Sequence, residues 1–318
     1  MNNLEDNILD IANNNYEYLM NLQNVNGIGL GYKHINGVNT FEPCIHVLVE
    51  NKINTKYIIQ NNLIPKSYMG IKTDVINRGI VTTKKSKNIF GTKARPLEAG
   101  YSISPMVKYD ARGSGTIACI VKKISKNKIR YFILSNNHVL SDDNKVPIGS
   151  YIIQPSDEDN GSIIYDKVAI LSKYVPSKKK ILPNWPINYM DCAIAELTDK
   201  YRASNKIATL GSFKGVNKAT LGLKVKKVGM VTGVTEGEVI TIGVTSEVDG
   251  AYGKYIYKNQ IDAKLDNKHG DSGAIVVNDN NEAVGLFFAG SDTVGTFTDI
   301  GEVLKKLKVE LFLDETII

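Results

Sequence analysis

Cysteine, long apolar runs and charge of one sign are all scarce in this chain, and each scarcity removes a class of protein. Only Cys44, Cys119 and Cys192 occur among 318 residues, far apart and never as Cys-x-x-Cys. An odd, scattered set indicates neither a disulfide framework nor a zinc cluster; no metal and no cofactor are expected. No apolar stretch approaches the ~20 residues that a membrane span needs, so no membrane partner is expected. The start, Met1-Asn2-Asn3-Leu4-Glu5-Asp6, has no basic residue and no apolar core, which argues against a secretory leader. A reducing, cytoplasmic location is the resulting expectation. Net charge is only +6. It comes partly from Lys84, Lys85, Lys87, Lys93 and Arg95 and partly from Lys178-Lys179-Lys180. Such runs are solvated loops in most proteins, so nucleic acid is not the expected partner. What is present is ordinary globular composition, 42% hydrophobic and 23% charged, with length enough for two or three cores.

Residues 3–22 place Leu4, Ile8, Ile11, Ala12, Leu19 and Met20 near one face at helical spacing, with Asn2 or Asn3 as the cap. Gly27-Ile28-Gly29-Leu30-Gly31-Tyr32 follows. Its alternating glycines match neither the dinucleotide fingerprint nor a phosphate loop, which needs a Lys-Ser/Thr continuation. A strand whose glycine face admits another backbone is the better account. Asn36-Gly37 marks a two-residue hairpin, with the return strand at 44–49. A short helix is expected at 56–63, stopped by Pro65, and a strand at 71–76. These make a small α/β module, residues 1–80, whose His34 and His46 read as structural or surface residues rather than metal ligands. Its apolar helix stripe needs a partner, and docking or homo-oligomeric assembly is the expected use.

A basic, turn-rich linker spans 81–98. From residue 99 the pattern changes to short strands between close turns. The first block holds 116–121 and 129–134 around Lys126-Asn127-Lys128, then 151–153, 167–171 and 192–197. The second holds 224–230, 238–244, 255–261, 274–277 and 283–288. An amphipathic helix at 299–311, on Ile300, Val303, Leu304, Leu307 and Leu311, closes the chain. Two blocks of about six strands each predict a mainly β fold of two six-stranded antiparallel barrels, 99–200 and 201–318, with a cleft between them.

The chemistry gathers in three places. Gly270-Asp271-Ser272-Gly273 reads as a tight loop between apolar strands. A serine flanked by glycines has little steric cover, and the glycines let backbone N–H groups turn toward one point near its hydroxyl. Asn136-Asn137-His138 ends a strand, and Met190-Asp191-Cys192 opens one. His138, Asp191 and Ser272 occur in the chain order of one of the known serine triads and not of the two unrelated ones. Each has a plainer reading as a turn or strand-end residue, and only their combination points to catalysis. His269 is too close to Ser272 along a tight loop to serve as its base. Asp157-Glu158-Asp159 misses the spacing of a calcium loop.

On Ser135-Asn136-Asn137-His138-Val139-Leu140, Asp191-Cys192-Ala193-Ile194-Ala195 and Gly270-Asp271-Ser272-Gly273, the chain resembles trypsin-like serine peptidases of the chymotrypsin fold. Gly27-Ile28-Gly29-Leu30-Gly31, Ile64-Pro65, Thr73-Asp74-Val75, Val228–Gly233 and Gly285–Ser291 resemble, more narrowly, a bacterial intracellular group related to the plant narrow-leaf proteins. The resemblance implies Ser272 as nucleophile, His138 as general base and Asp191 as the group fixing the imidazole tautomer. It implies the N–H groups of Gly270 and Ser272 as the oxyanion hole, with Asp271 holding the loop from beneath. It also implies Asp266 at the base of the pocket for the residue before the scissile bond, favouring lysine or arginine, with Gly290 on the opposite wall. The chain departs from the pattern in lacking disulfides and an Ile-Val or Ile-Ile start after a basic cleavage site, so activation by a new N-terminus is not expected. The expected partner is a protein or peptide. A non-hydrolytic peptide-binding scaffold and an esterase are the rival readings.

Overall fold

The computed structural model describes residues 3–58, 60–79, 89–106, 113–125, 128–181, 183–198 and 203–314. Lys84, Lys85, Lys87 and the turn residues Lys126 and Asn127 lie outside the described residues.

Helix α1 (Asn3–Asn14) buries Ile8, Ile11 and Ala12 but leaves Leu4 exposed. The single helix expected through residue 22 breaks after Asn14 and resumes as the four-residue α2 (Glu17–Met20). Asn13-Asn14-Asn15 accounts for the break. Asparagine favours local side-chain bonding over helix continuation, and here Asn13 donates to the Leu9 carbonyl and Asn14 to Asp10. Strand Val25–Ile35 turns through Asn36 (φ +52°) and Gly37 (φ +82°) into Val38–Val49, the positive dihedrals that an Asn-Gly hairpin requires. Ile71–Asn77 then lies parallel to Val38–Val49. Two 3₁₀ turns, Thr55–Tyr57 and Gln60–Asn62, stand where a helix was expected at 56–63, separated by the extended residue Ile58.

The glycine face of Val25–Ile35 does admit close neighbours, a backbone among them: a Cβ on Gly29 would stand 3.2 Å from the Ile242 carbonyl oxygen, and side chains come closer still. The His46 ring lies across Gly31, where a Cβ would overlap it, and the Thr241 methyl would stand 2.6 Å from a Cβ on Gly29. His46 is buried, with Nδ1 3.0 Å from Thr241 Oγ1 and Nε2 2.9 Å from the Tyr32 carbonyl. Burial lowers its pKa to about 4, so it stays neutral. His34 and Asp74 approach it, yet both ring nitrogens of His46 are already engaged, so the trio is not a ready metal site. Gly31→Ala should displace this ring and cost about 1–3 kcal/mol, as overpacking does. A urea midpoint unchanged from wild type would contradict that.

An eight-stranded antiparallel sheet forms the first block. Its order is Glu310–Leu311, Cys119–Ser125, Lys128–Ser135, Ala193–Leu197, Lys167–Tyr174, Tyr151–Ile153, Ser102–Pro105 and Gly115–Thr116. Its inner face packs Ile103, Ile120, Ile133, Val168 and Leu171. The second block contributes Lys224–Gly229, Gly233–Gly250, Gly253–Ala263, Ile275–Asn278, Glu282–Gly290 and Gly295–Asp299 to a twelve-stranded sheet over Val225, Val239, Ile261, Val276 and Phe297. A third cluster, including Val121, Leu134, Ile275 and Leu286, fills the space between the two blocks.

Both sheets hold more than six strands, and part of the excess comes from chain outside their own blocks. Val25–Ile35 pairs with Gly233–Gly250, Gly27 opposite Ser246, so the N-terminal strands extend the second sheet. At the other end, helix α4 (Ile300–Leu307), capped by Asp299 accepting from the Glu302 N–H, stops at Lys308 (φ +61°). The helix expected through 311 gives way there to strand Glu310–Leu311, which joins the first sheet. The mainly β architecture and the C-terminal helix are as expected.

Candidate active site

Strand Lys128–Ser135 hands over through Asn136 to the short helix α3 (Asn137–Leu140), so His138 sits in a first helical turn. Asp191 shapes that turn. Its Oδ1 accepts the N–H groups of Asn137 (2.6 Å) and His138 (3.2 Å), and its Oδ2 lies 2.6 Å from His138 Nδ1. One carboxylate therefore both caps the turn and orients the imidazole. Asp191 is itself fixed, its carbonyl accepting from Asn136 Nδ2 at 2.7 Å while Ala193 pairs opposite Ser135. With Nδ1 donating to a carboxylate, the neutral ring carries its lone pair on Nε2.

Burial alone would lower the His138 pKa. The charge and hydrogen bond of Asp191, helped by Asp143 and Asp142, outweigh it and hold the value above the ordinary 6.5. Asp143 is pushed up to about 6, by burial first and then by the Asp191 charge, with His138 opposing. Asp142 reaches across to the second block, where the Tyr252 hydroxyl bonds both its oxygens at 2.8 and 2.7 Å. The two blocks are thereby tied together within a few residues of His138.

Ser272 lies in the turn that precedes Ile275–Asn278. Gly273, at φ +93°, is confined by Ser135 Oγ and the Thr116 carbonyl, with no room for a Cβ. Thr116, from the first block, grips the turn twice. Its N–H donates to the Ser272 carbonyl and its Oγ1 to the Gly270 carbonyl, both at 2.8 Å. With both carbonyls held, no acceptor meets the N–H groups of Gly270 and Ser272 among the described residues. Two fixed donors beside a hydroxyl can receive an anionic oxygen.

Asp271 braces the same turn from below. Its Oδ1 accepts the N–H groups of Val231 and Thr232, both at 3.1 Å, and its Oδ2 accepts from Lys268 N and Thr232 Oγ1. Lys227 Nζ stands 2.8 Å from the same Oδ2, and neither side chain is exposed at all. Burial draws the Lys227 pKa below the ordinary lysine value, with Asp271 opposing. Neither Lys227 nor Thr116 is singled out by sequence reasoning. A signal for Lys227 existed: in Lys224–Gly229 it shares the inward strand face with Val225 and Gly229.

His138 and Asp191 are thus in contact, while no acceptor meets the N–H groups of Gly270 and Ser272 among the described residues. Ser272 Oγ donates instead to the Phe288 carbonyl at 3.3 Å, and among the described residues it makes no hydrogen bond to His138. Asp266 needs correction. It is exposed, because Leu265 and Asn267 take the inward positions on either side of it. Asn267 is the residue that turns in, its Nδ2 bonding the carbonyls of Leu265 (2.9 Å), Ser291 (2.6 Å) and Val294 (3.2 Å). Its amide fills the space beside Gly290, where a Cβ would stand 2.6 Å from Asn267 Oδ1.

The sequence pattern of the Trypsin family matches residues 123–305, and that of the NARROW LEAF 1 N-terminal domain matches residues 4–76. Among solved structures, the chain is similar to Thermobifida fusca protease A, 15% identical with a TM-score of 0.49, covering 68% of this chain and 98% of that one. Cellulomonas bogoriensis chymotrypsin is likewise 15% identical, at 0.46, over 68% and 98%. A Nocardiopsis protease is 15% identical, at 0.47, over 67% and 97%. No curated protein matches the chain. With the Trypsin pattern covering more than half of its residues, this chain belongs to the trypsin family, on a chymotrypsin-like fold, and it begins with the narrow-leaf type of N-terminal domain.

Proposed function

We propose that the protein is a serine endopeptidase working through His138, Asp191 and Ser272. The observation that carries this reading is the 2.6 Å contact of His138 Nδ1 with Asp191 Oδ2, in a chain whose Ser272 turn has two N–H groups, those of Gly270 and Ser272, that no acceptor meets among the described residues. In this reading Ser272 Oγ leaves its 3.3 Å bond to the Phe288 carbonyl for one to His138 Nε2, a bond that apo sites commonly complete only with substrate. Nε2 takes the hydroxyl proton as Oγ attacks the carbonyl carbon, and Asp191 stabilises the imidazolium. The carbonyl oxygen, now negative, receives the N–H groups of Gly270 and Ser272, each such donor worth about 3–4 kcal/mol in comparable sites. His138 returns the proton to the leaving amine, and water then cleaves the acyl-enzyme by the same route.

Because only neutral His138 accepts the proton, kcat/KM should rise with pH through a midpoint above 6.5, the direction set by the neighbouring carboxylates. Asp143→Asn removes one of those charges and should move the midpoint down. An upward or absent shift would contradict the electrostatics. The same raised pKa stabilises the fold at low pH, a contribution complete below 6.5 and lost as pH rises through the folded-state value.

The test of the reading is casein digestion, with new peptide termini identified by mass spectrometry. Internal cleavage by the wild type and none by Ser272→Ala is expected. Binding of casein without cleavage would overturn the reading in favour of a non-hydrolytic peptide-binding module.

A further inference from the structure

Strand Ile71–Asn77 of the N-terminal segment runs directly into Arg78, a residue buried in the second block. The Arg78 guanidinium meets Asp262 through Nε and Nη2, both at 3.1 Å, and Thr296 Oγ1 through Nη2 at 2.6 Å. Thr296 Oγ1 in turn donates to Asp262 at 2.7 Å. All three are shut off from solvent, so this bolt is a buried ion pair and not a surface one, hydrogen-bonded through Nη2 while Nε approaches Oδ2 without a hydrogen bond. Nη1 also reaches back to the Asn26 carbonyl at 3.3 Å, tying the bolt to the first strand of the chain.

What the bolt holds matters more than the bolt. Thr296 lies opposite Ala289 in the strand pair Glu282–Gly290 and Gly295–Asp299. The Phe288 carbonyl in that pair accepts from Ser272 Oγ, and the Phe287 carbonyl accepts the Gly273 N–H. The next residue of the N-terminal segment, Gly79 (φ +81°), rests on the turn that joins these strands. A Cβ on Gly79 would stand 3.2 Å from Ser291 Cβ, and the Gly79 carbonyl is held by Asn26 Nδ2 at 2.9 Å. From the other side, Asn267 Nδ2 bonds the Ser291 carbonyl. The 290–294 turn is therefore sandwiched between the N-terminal segment and the chain leading into the Ser272 loop.

We propose that Arg78 and Gly79 are positioning residues of the substrate cleft. In this assignment the N-terminal segment sets the place of residues 289–296, which continue the strand whose Phe288 carbonyl meets Ser272 Oγ, and those residues serve as a wall for a bound peptide. The assignment rests on the proteolytic reading for its kinetic consequence but not for its structural one. A segment displaced by even a fraction of an ångström disturbs the alignment of a bound peptide, whereas the Ser272 turn has further holds in Thr116 and Asp271 besides its bonds to Phe287 and Phe288.

Gly79→Ala tests this, with Arg78→Lys as a second variant that keeps the charge and loses the Nη2 bonds to Asp262 and Thr296. Two readouts apply to both: hydrogen exchange of residues 289–296, and steady-state cleavage of a fluorogenic peptide. Faster exchange in that segment and a KM raised about five- to tenfold, with kcat within about twofold, are expected. Unchanged exchange at 289–296 in both folded variants would overturn the assignment, and so would a loss confined to kcat. If the wild type cleaves no peptide, the proteolytic reading fails by itself, and the exchange data alone then decide whether the N-terminal segment holds the wall.

Discussion

Ser272→Ala should lower peptide turnover by about 10⁶-fold while leaving the thermal melting curve where it was, the scale seen when a triad member that acts as one unit with its partners is removed. The kinetic half follows from the proposed chemistry, because no other side chain in the Gly270–Gly273 turn can attack a carbonyl carbon at that point. The stability half follows from the geometry. Ser272 Oγ makes one long hydrogen bond, to Phe288, while the turn is held by Thr116, Asp271 and the Gly273 N–H bond to the Phe287 carbonyl. His138→Ala should lose nearly as much, and the double variant should be little worse than either alone, since the two residues serve one proton transfer. Turnover of Ser272→Ala within tenfold of wild type would rule out the serine mechanism.

Lys227→Met should be the most damaging change outside the three proposed catalytic residues. It leaves the Asp271 carboxylate buried without its cation, and breaking a buried pair in this way typically costs 3–5 kcal/mol, roughly. Three N–H groups and a hydroxyl still face Asp271, so the turn should loosen and not collapse. Activity should fall with stability, because the Gly270 and Ser272 donors are aimed by the same turn. The double variant Lys227→Met/Asp271→Asn should recover part of the lost stability, since no unpaired charge remains buried. A urea unfolding free energy for Lys227→Met within about 1 kcal/mol of wild type would contradict this account of the buried pair.

Local features were legible in the sequence, and features made by distant chain segments were not. The Asn36-Gly37 hairpin, the terminal helix and the strand-edge positions of His138, Asp191 and Ser272 each depend on a few neighbouring residues. The pairing of Gly27 with Ser246 leaves no local mark. Alternating glycines announced a close approach but could not say that it would be the His46 ring and the Thr241 methyl. Thr116 looked like one more residue in a β run, because its role is made by carbonyls that arrive from Gly270 and Ser272. Asp266 was misread for a related reason. A one-residue difference along an extended segment exchanges inside for outside, and only the packing of Leu265 and Asn267 reveals which it is. The bolt from Arg78 to Asp262 joins residues that no spacing rule would bring together.

Reaction with a fluorophosphonate probe, followed by mass spectrometry of the modified peptide, tests the central claim most directly. Such a probe attaches only to a serine whose hydroxyl is activated by a base and whose adduct oxygen finds donors. The account predicts one adduct, on Ser272, formed faster as pH rises through the His138 midpoint and abolished in His138→Ala. No adduct on Ser272 in the folded wild-type protein, or one that forms equally fast in His138→Ala, would contradict it.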